Sequence, residues 1–171
     1  MTTQSSASIS FGVITMSDKG ARGEREDTSG AHLIDTLTVH GYSLAGYAIV
    51  PDQVSAIVSK CLEFVDEKKV TLLVTTGGTG LAPTDVTPEA MQSVLEKEIP
   101  GIAEMMRSES LKKTPRACLS RGRSGMRGNC LIINFPGSLK AVQEHLEIVM
   151  PVLDHALDKI KGDPGDCGRT V

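Results

Sequence analysis

The segment of residues 75–80 is the first candidate for chemistry, because three glycines alternate with threonines directly after an apolar run. Glycines let backbone N–H groups approach an anion without interference from a Cβ atom, as phosphate-binding loops require. No Lys-Ser/Thr pair follows at Walker A spacing, and the dinucleotide-binding fingerprint is also missing. The segment therefore indicates a phosphate-binding loop of another kind or, alternatively, a tight turn. The residues concerned are Gly77, Gly78, Thr79 and Gly80.

Asp85 is the first candidate for metal binding. It lies five residues after Gly80 and just before Thr87-Pro88, a typical helix start. Its carboxylate is thus expected beside N–H donors that bind phosphate. Because Mg²⁺ prefers one or two carboxylates together with phosphate oxygens and water, we expect Asp85 to hold Mg²⁺. The alternative is a loop acid that stabilises the following helix.

Asp52 is the second candidate carboxylate, since it follows a predicted strand directly after Pro51. The residue types alone favour a simpler role, in which Asp52 is the N-cap of the next helix.

Residues 107–127 concentrate seven cations against the single acid Glu109, in a chain with a formal net charge of -3. Arginine makes bidentate contacts with phosphate, so the cluster indicates a substrate with several phosphates. A solvated surface is the alternative. Serines within the segment could donate hydrogen bonds to a polar ligand. The cations are Arg107, Lys112, Lys113, Arg116, Arg121, Arg123 and Arg127, and the serines Ser110, Ser120 and Ser124 are interspersed.

Composition argues against several other functions. An aromatic content of 3% leaves few platforms for base stacking, so we expect no nucleic-acid partner. We expect no membrane association and a cytoplasmic location, because residues 1–10 do not resemble a signal peptide and no stretch approaches ~18 apolar residues. The histidines fall on predicted helices, away from residues 75–80, and complete no hydrolase triad. The four cysteines are widely spaced and are expected to be reduced, with Cys130 in the core.

Hydrophobic periodicity predicts strands alternating with helices. Short loops between them favour a single α/β domain of three layers, in which helices cover both faces of a mostly parallel sheet. We predict this domain over residues 8–163, with flexible segments at 1–7 and 164–171. The predicted strands are 9–16, 42–50, 70–76, 117–119 and 130–135, and the predicted helices are 28–40, 52–68, 87–97, a stretch ending near 111, and 138–160 with a possible break at Pro151.

Polar loops follow three of these strands, at residues 17–20, 77–85 and 136–138. Ligands of such folds bind beyond the carboxyl ends of the strands. The sequence therefore predicts a site at this edge of the sheet.

Taken in order, the motifs at residues 75–80, 83–90 and 133–138 resemble those of the MogA/MoaB family of molybdenum-cofactor proteins. The resemblance extends over about residues 8–163 and includes segments 50–52, 110–111, 119–121 and 160–163. The chain is similar in particular to the adenylyltransferase domain of gephyrin-type fusion proteins.

The resemblance implies a MogA-like fold, a homotrimer and a molybdate-insertase partner. It also implies transfer of AMP from Mg-ATP to the terminal phosphate of molybdopterin, which releases pyrophosphate. By the same resemblance Asp52 and Asp85 are the catalytic and Mg²⁺-binding residues. The implied ligand-binding residues are Ser17, Asp18, Gly77, Gly78, Thr79, Gly80, Ser110, Ser120, Arg121, Pro136, Gly137 and Ser138.

Two other functions stay open. Residues 25–30 resemble the MoaB side of the family, whereas residues 85–90 resemble the MogA side, so a molybdopterin-binding protein without catalytic activity is one alternative. A nucleotide hydrolase or deamidase, as the related competence-damage proteins suggest, is the other.

Overall fold

A computed structural model describes residues 9–162 of the chain. The segments predicted to be flexible, 1–7 and 164–171, lie outside the described residues. Six strands form one sheet in the order β2-β1-β3-β6-β5-β4. They are β1 (Ser10–Met16), β2 (Ser43–Val50), β3 (Leu72–Thr76), β4 (Lys97–Glu98), β5 (Ser124–Arg127) and β6 (Cys130–Phe135).

The sheet is mostly parallel, as predicted. Strands β2, β1, β3 and β6 run in one direction, with Val13 opposite Val74 and Val74 opposite Ile133. Strand β5 and the edge strand β4 are antiparallel to their neighbours. The parallel strands end at a common edge, and the loops that follow them meet there.

Helices cover both faces of the sheet, which confirms the three-layer prediction. They are α1 (Asp18–Ala21), α2 (Thr28–Val39), α3 (Val54–Leu62), a π-helical turn (Glu63–Glu67), α4 (Thr87–Val94), α5 (Pro100–Leu111), a 3₁₀ helix (Pro115–Leu119) and α6 (Leu139–Ile160). Helices α2, α5 and α6 pack on one face, and α3, the π-helical turn and α4 pack on the other.

Alternate residues of the central strands divide between the two halves of the core. Val13 and Val74 pack under α2, α5 and α6, whereas Ile14 and Leu73 pack under α3 and α4. This two-sided burial explains why β1 and β3 read as continuous apolar runs. Cys130 is buried in the half of the core that lies under α3 and α4, as its sequence context predicted.

Two predicted helix caps are wrong. Helix α3 begins at Val54 with Gln53 at the N-cap position, so Asp52 lies before the helix and does not cap it. Helix α4 has Val86 at its N-cap, and Thr87 is its first residue. In both cases the polar side chain is engaged by another part of the chain, which offers a better hydrogen-bond partner than the local backbone.

The prediction of a strand at residues 117–119 is also wrong, since the chain forms the 3₁₀ helix there. Pro115 favours the start of this helix, and the Thr114 hydroxyl accepts a hydrogen bond from the Arg116 N–H. Strands β4 and β5 were not predicted, because two- and four-residue strands are too short for a periodic signal. Helix α6 continues through Pro151, which lies on its exposed side.

Within residues 9–162, none of the helices has the length and apolar character that spanning a lipid bilayer requires.

Candidate active site

A cleft of about 360 Å³ opens at the carboxyl ends of β1, β3 and β6, where the sequence placed the site. It brings together the loops that follow these strands and the loop between β2 and α3. Half of the fourteen predicted site residues meet here. Those that line the cleft are Ser17, Asp52, Gly77, Gly78, Asp85, Gly137 and Ser138.

The glycine-rich loop needs glycine for two separate reasons. Gly77 and Gly78 adopt φ values of 103° and 63°, in the region that side chains disfavour. A Cβ atom at Gly77 would also lie 2.3 Å from the Met16 carbonyl oxygen. The backbone of the loop therefore packs directly against the end of β1.

Thr87 anchors this loop to α4. Its hydroxyl donates to the Gly77 carbonyl at 3.0 Å, and its N–H donates to the Gly78 carbonyl at 3.1 Å. The residue is fully buried, so both bonds are shielded from water. Thr87 thus sets the position of the loop, and this explains why its hydroxyl does not cap the helix.

Asp52 is held by Asp18 through a reciprocal pair of hydrogen bonds. The Asp18 N–H donates to Asp52 Oδ2 at 2.9 Å, and the Asp52 N–H donates to Asp18 Oδ1 at 3.0 Å. Burial raises the pKa of Asp52, the Asp18 N–H opposes that shift, and the charges of Asp18 and Asp85 add to it. The two candidate catalytic carboxylates therefore lie close enough to influence each other.

Asp85 closes a tight turn with Ala82. The Ala82 N–H donates to Asp85 Oδ2 at 2.8 Å, and the Asp85 N–H donates to the Ala82 carbonyl at the same distance. Gly80 lies against the same carboxylate, because a Cβ atom there would be 2.7 Å from Asp85 Oδ2. The loop backbone therefore fixes the carboxylate beside the glycines.

Helix α6 also begins at the cleft. Ser138 is its N-cap and accepts a hydrogen bond from the Ala141 N–H at 3.3 Å. Gly137 packs on the loop, since a Cβ atom there would lie 3.2 Å from the Cα of Gly77. The N-terminus of a long helix favours anions, so this side of the cleft suits a phosphate group.

A second cavity of about 320 Å³ contains Ser120 and Arg121, together with Arg107 and Arg123. It adjoins the glycine-rich loop, because the Arg121 N–H donates to the Thr79 carbonyl at 2.8 Å, whereas Gly77 and Gly78 line the cleft. The loop therefore borders both cavities. Of the other predicted site residues, Asp18, Thr79, Gly80, Ser110 and Pro136 line neither.

Ser110 lies elsewhere. It is 7% exposed, lines neither cavity, and its Oγ is 2.7 Å from His145 Nε2. The basic segment is likewise dispersed. Arg127 pairs with Asp66 near the amino ends of β3 and β6, and Lys113 pairs with Glu144 on α6. Residues 107–127 do not form one cationic surface, because the chain turns through three elements there.

Residues at the start of α2 and just before it form a wall of the cleft, although none of them was among the predicted site residues. Asp27 does cap α2, since its Oδ1 accepts from the Gly30 N–H at 2.9 Å. Its Oδ2 also accepts from the hydroxyls of Thr15 at 2.5 Å and Tyr47 at 2.6 Å. The polar composition of residues 25–30 was the sequence signal that could have placed this segment in the site. The cleft residues from this segment are Arg25, Glu26, Asp27, Thr28 and Ser29.

The donor set fits Mg²⁺ bound together with a phosphate. Asp52 Oδ1 would lie 3.3 Å from a Cβ atom at Gly78, and Asp85 Oδ2 lies against Gly80, so both carboxylates border the phosphate-binding loop. Within the described residues there is no group of three or more His, Cys, Asp or Glu side chains suited to a metal. Two carboxylates suffice for Mg²⁺, which takes its remaining ligands from phosphate and water.

The fold and the site place the chain in a class of α/β domains with a glycine-rich loop at the strand ends. Residues 12–155 match the model of a family described as a probable molybdopterin binding domain. The chain belongs to this family, as its motifs indicated.

Individual relatives agree with that assignment. The chain is 40% identical over 163 residues to a molybdopterin adenylyltransferase of Helicobacter pylori, and the match covers 91% of this chain and 89% of that protein. It is 42% identical to the molybdenum cofactor synthesis protein cinnamon of Drosophila melanogaster, of whose length it spans 26%. The crystal structure of MoaB from Thermus thermophilus superposes with a TM-score of 0.82 at 47% identity, covering 92% of this chain and 99% of that one.

Proposed function

We propose that this protein is a molybdopterin adenylyltransferase that uses Mg-ATP in molybdenum-cofactor biosynthesis. The convergence of Asp52 and Asp85 on the glycine-rich loop carries the proposal, because it joins two carboxylates to an anion-binding backbone. The molybdopterin adenylyltransferase of Helicobacter pylori, which matches over most of both chains, supports the same activity.

The two cavities suit the two substrates. ATP binds in the cleft, with its phosphates against Gly77, Gly78 and the N-terminus of α6. The pterin occupies the second cavity beside Ser120, with its phosphate directed towards the glycine-rich loop. This arrangement explains why the loop borders both cavities, since the reacting phosphates must meet there.

The reaction is a substitution at the α-phosphorus of ATP. An oxygen of the molybdopterin phosphate forms a bond to that phosphorus, and the bond to the bridging oxygen of the β-phosphate breaks. The products are adenylylated molybdopterin and pyrophosphate. Positioning and charge neutralisation supply most of the catalysis in phosphoryl-type transfer, so no histidine base is required.

Each part of the site has a role in this step. Asp52 and Asp85 would hold Mg²⁺, which supplies positive charge to the phosphates. The loop N–H groups bind and orient the nucleotide. Thr87 and Asp18 hold the loop and Asp52 in place, through the hydrogen bonds described above.

The first test is pyrophosphate release from Mg-ATP with and without molybdopterin. Asp85→Asn keeps the size of the side chain but removes its charge, so release should fall at least about 100-fold while the fold is retained. Asp35→Asn, which changes an exposed aspartate on α2, is the matched control and should stay active. An active Asp85→Asn protein would overturn the assignment.

A molybdopterin-binding protein without catalysis is the second candidate, favoured by the description of the matching family as a probable molybdopterin binding domain. It predicts pterin binding without pyrophosphate release in the same assay. The cytoplasmic location remains a prediction from the residue pattern, and the homotrimer and the molybdate-insertase partner remain predictions of the sequence resemblance.

A further inference from the structure

Arg121 lines the second cavity and makes several hydrogen bonds to other parts of the chain. Its Nε donates to the Gly80 carbonyl at 2.8 Å, and its Nη2 donates to the Asp85 carbonyl at 2.6 Å. Its Nη1 donates to the Glu89 carboxylate on α4. One guanidinium therefore joins both ends of the segment 80–85 to the helix that follows it.

Apart from the turn between Ala82 and Asp85, the segment between these two carbonyls has little other support. Residues 81–84 are all exposed, and Leu81 is 63% exposed. Exposed loops with few packed side chains are the parts of a protein that move most readily. The bonds from Arg121 therefore restrict a segment that would otherwise be free to carry Asp85 out of position.

The same contacts leave Arg121 poorly suited to bind substrate. Each of its nitrogens already donates to a protein oxygen, and Glu89 compensates its charge. The hydrogen bond from Arg121 lowers the pKa of Glu89, so this partner stays ionised. The guanidinium is therefore mainly engaged by the protein itself.

We propose that Arg121 is a positioning residue, which fixes Asp85 by clamping the carbonyls of Gly80 and Asp85, and that Glu89 holds the clamp. The clamp itself follows from the hydrogen bonds, whereas its effect on catalysis rests on the proposed function. Only the planar fork of arginine can reach both carbonyls and the carboxylate together; lysine carries the same charge at a single point.

The kinetic test compares Arg121→Lys with Arg127→Lys. Arg127 also makes a bidentate pair, with Asp66, but near the opposite edge of the sheet. For Arg121→Lys we expect kcat to fall about 10- to 100-fold, because small displacements of a catalytic group cost this much. The KM values for ATP and molybdopterin should be retained, and Arg127→Lys should match the wild type in both constants.

Amide hydrogen exchange gives a second measurement that needs no activity. Exchange over residues 79–86 should be faster in Arg121→Lys than in the wild type and unchanged in Arg127→Lys. Glu89→Gln keeps the contacts to the loop carbonyls and should show a smaller change of the same kind. It also serves as the test variant if Arg121→Lys does not fold.

The outcomes are distinguishable. Lower kcat together with faster exchange supports the clamp, whereas a higher KM at unchanged kcat would mean that Arg121 contacts substrate and would overturn it. Unchanged exchange would overturn it as well. If the wild type releases no pyrophosphate, the proposed function fails, and the exchange comparison alone decides whether the clamp exists.

Discussion

At the scale of single residues, the site depends on backbone groups as much as on side chains. Asp18 and Asp52 each bind the other's N–H, and Thr87 binds two loop carbonyls. Gly77 permits a close approach of the loop to β1, because a Cβ atom there would meet the Met16 carbonyl oxygen. These contacts place the loop and the carboxylates before any substrate arrives.

Gly77→Ala should disrupt both the loop and the fold locally. The added methyl would lie 2.3 Å from the Met16 carbonyl oxygen, at a φ of 103°. We expect a loss of about 1–3 kcal/mol in the free energy of unfolding, measured by urea denaturation, together with loss of ATP binding.

Gly101→Ala is the control for that substitution. A Cβ atom at Gly101 has no heavy atom within 4 Å, and the residue lies in α5. Alanine should therefore be neutral or stabilise the helix by up to about 1 kcal/mol. Equal stability of the two variants would contradict the close packing of the loop on β1.

At the scale of elements, α5 and α6 meet through a buried polar contact. His145 of α6 is 5% exposed and pairs with Ser110 of α5, while its Nδ1 has no hydrogen-bond partner within the described residues. Burial lowers the pKa of His145; Lys113 lowers it further and Glu144 opposes the shift. The packing of these helices therefore favours a neutral imidazole.

This contact predicts a pH dependence of stability. Because the folded-state pKa is below the unfolded value of about 6.5, the unfolded chain binds the proton more readily. Stability should be fully present above that value and should decrease as the pH falls through the folded pKa. The free energy of unfolding, measured by urea denaturation between about pH 7 and about pH 5, should fall more steeply for the wild type than for His145→Gln.

The glutamine side chain can donate to Ser110 but does not titrate, so it isolates the proton that His145 takes up. Parallel pH profiles for the two proteins would show that His145 is not the source of the effect.

At the scale of the whole molecule, the strand order brings distant segments to one edge. Asp52 follows β2, Asp85 follows β3 and Ser138 follows β6. Strands β3 and β6 are adjacent in the parallel part of the sheet, and β1 lies between β2 and β3. Helices pack on both faces of the sheet whose strands end at this edge. The loop between β3 and α4 borders both the cleft and the second cavity.

Ligand binding at this edge should stabilise the entire domain. A ligand that binds only the folded state adds about 2.7 kcal/mol at a concentration of 100 times its Kd. We expect Mg-ATP to raise the Tm of the wild type and of Asp35→Asn, and to raise it less for Asp85→Asn. Equal Tm shifts for all three proteins would mean that nucleotide binding does not depend on Asp85.

Local patterns in the chain were enough to predict much of this molecule. Apolar runs identified β1, β3 and β6, since a strand buried on both faces needs no partner to be recognised. Helical spacing identified α2 and α6, and a polar loop after each parallel strand located the site. The glycine-rich loop and Asp85 were predicted because they are adjacent in sequence to the strand and helix that hold them.

Tertiary structure alone decided the features that depend on distant partners. The residue types predicted Asp52 as a helix cap, whereas in the structure its hydrogen bonds are with Asp18, 34 residues away. Ser110 is buried by a histidine 35 residues later, and Arg121 reaches Gly80 across 41 residues. A short strand such as β5 exists because β4 and β6 lie beside it. Hydrogen bonds and burial between segments carry no local period, so only the folded chain determines which polar residues serve the site and which hold it together.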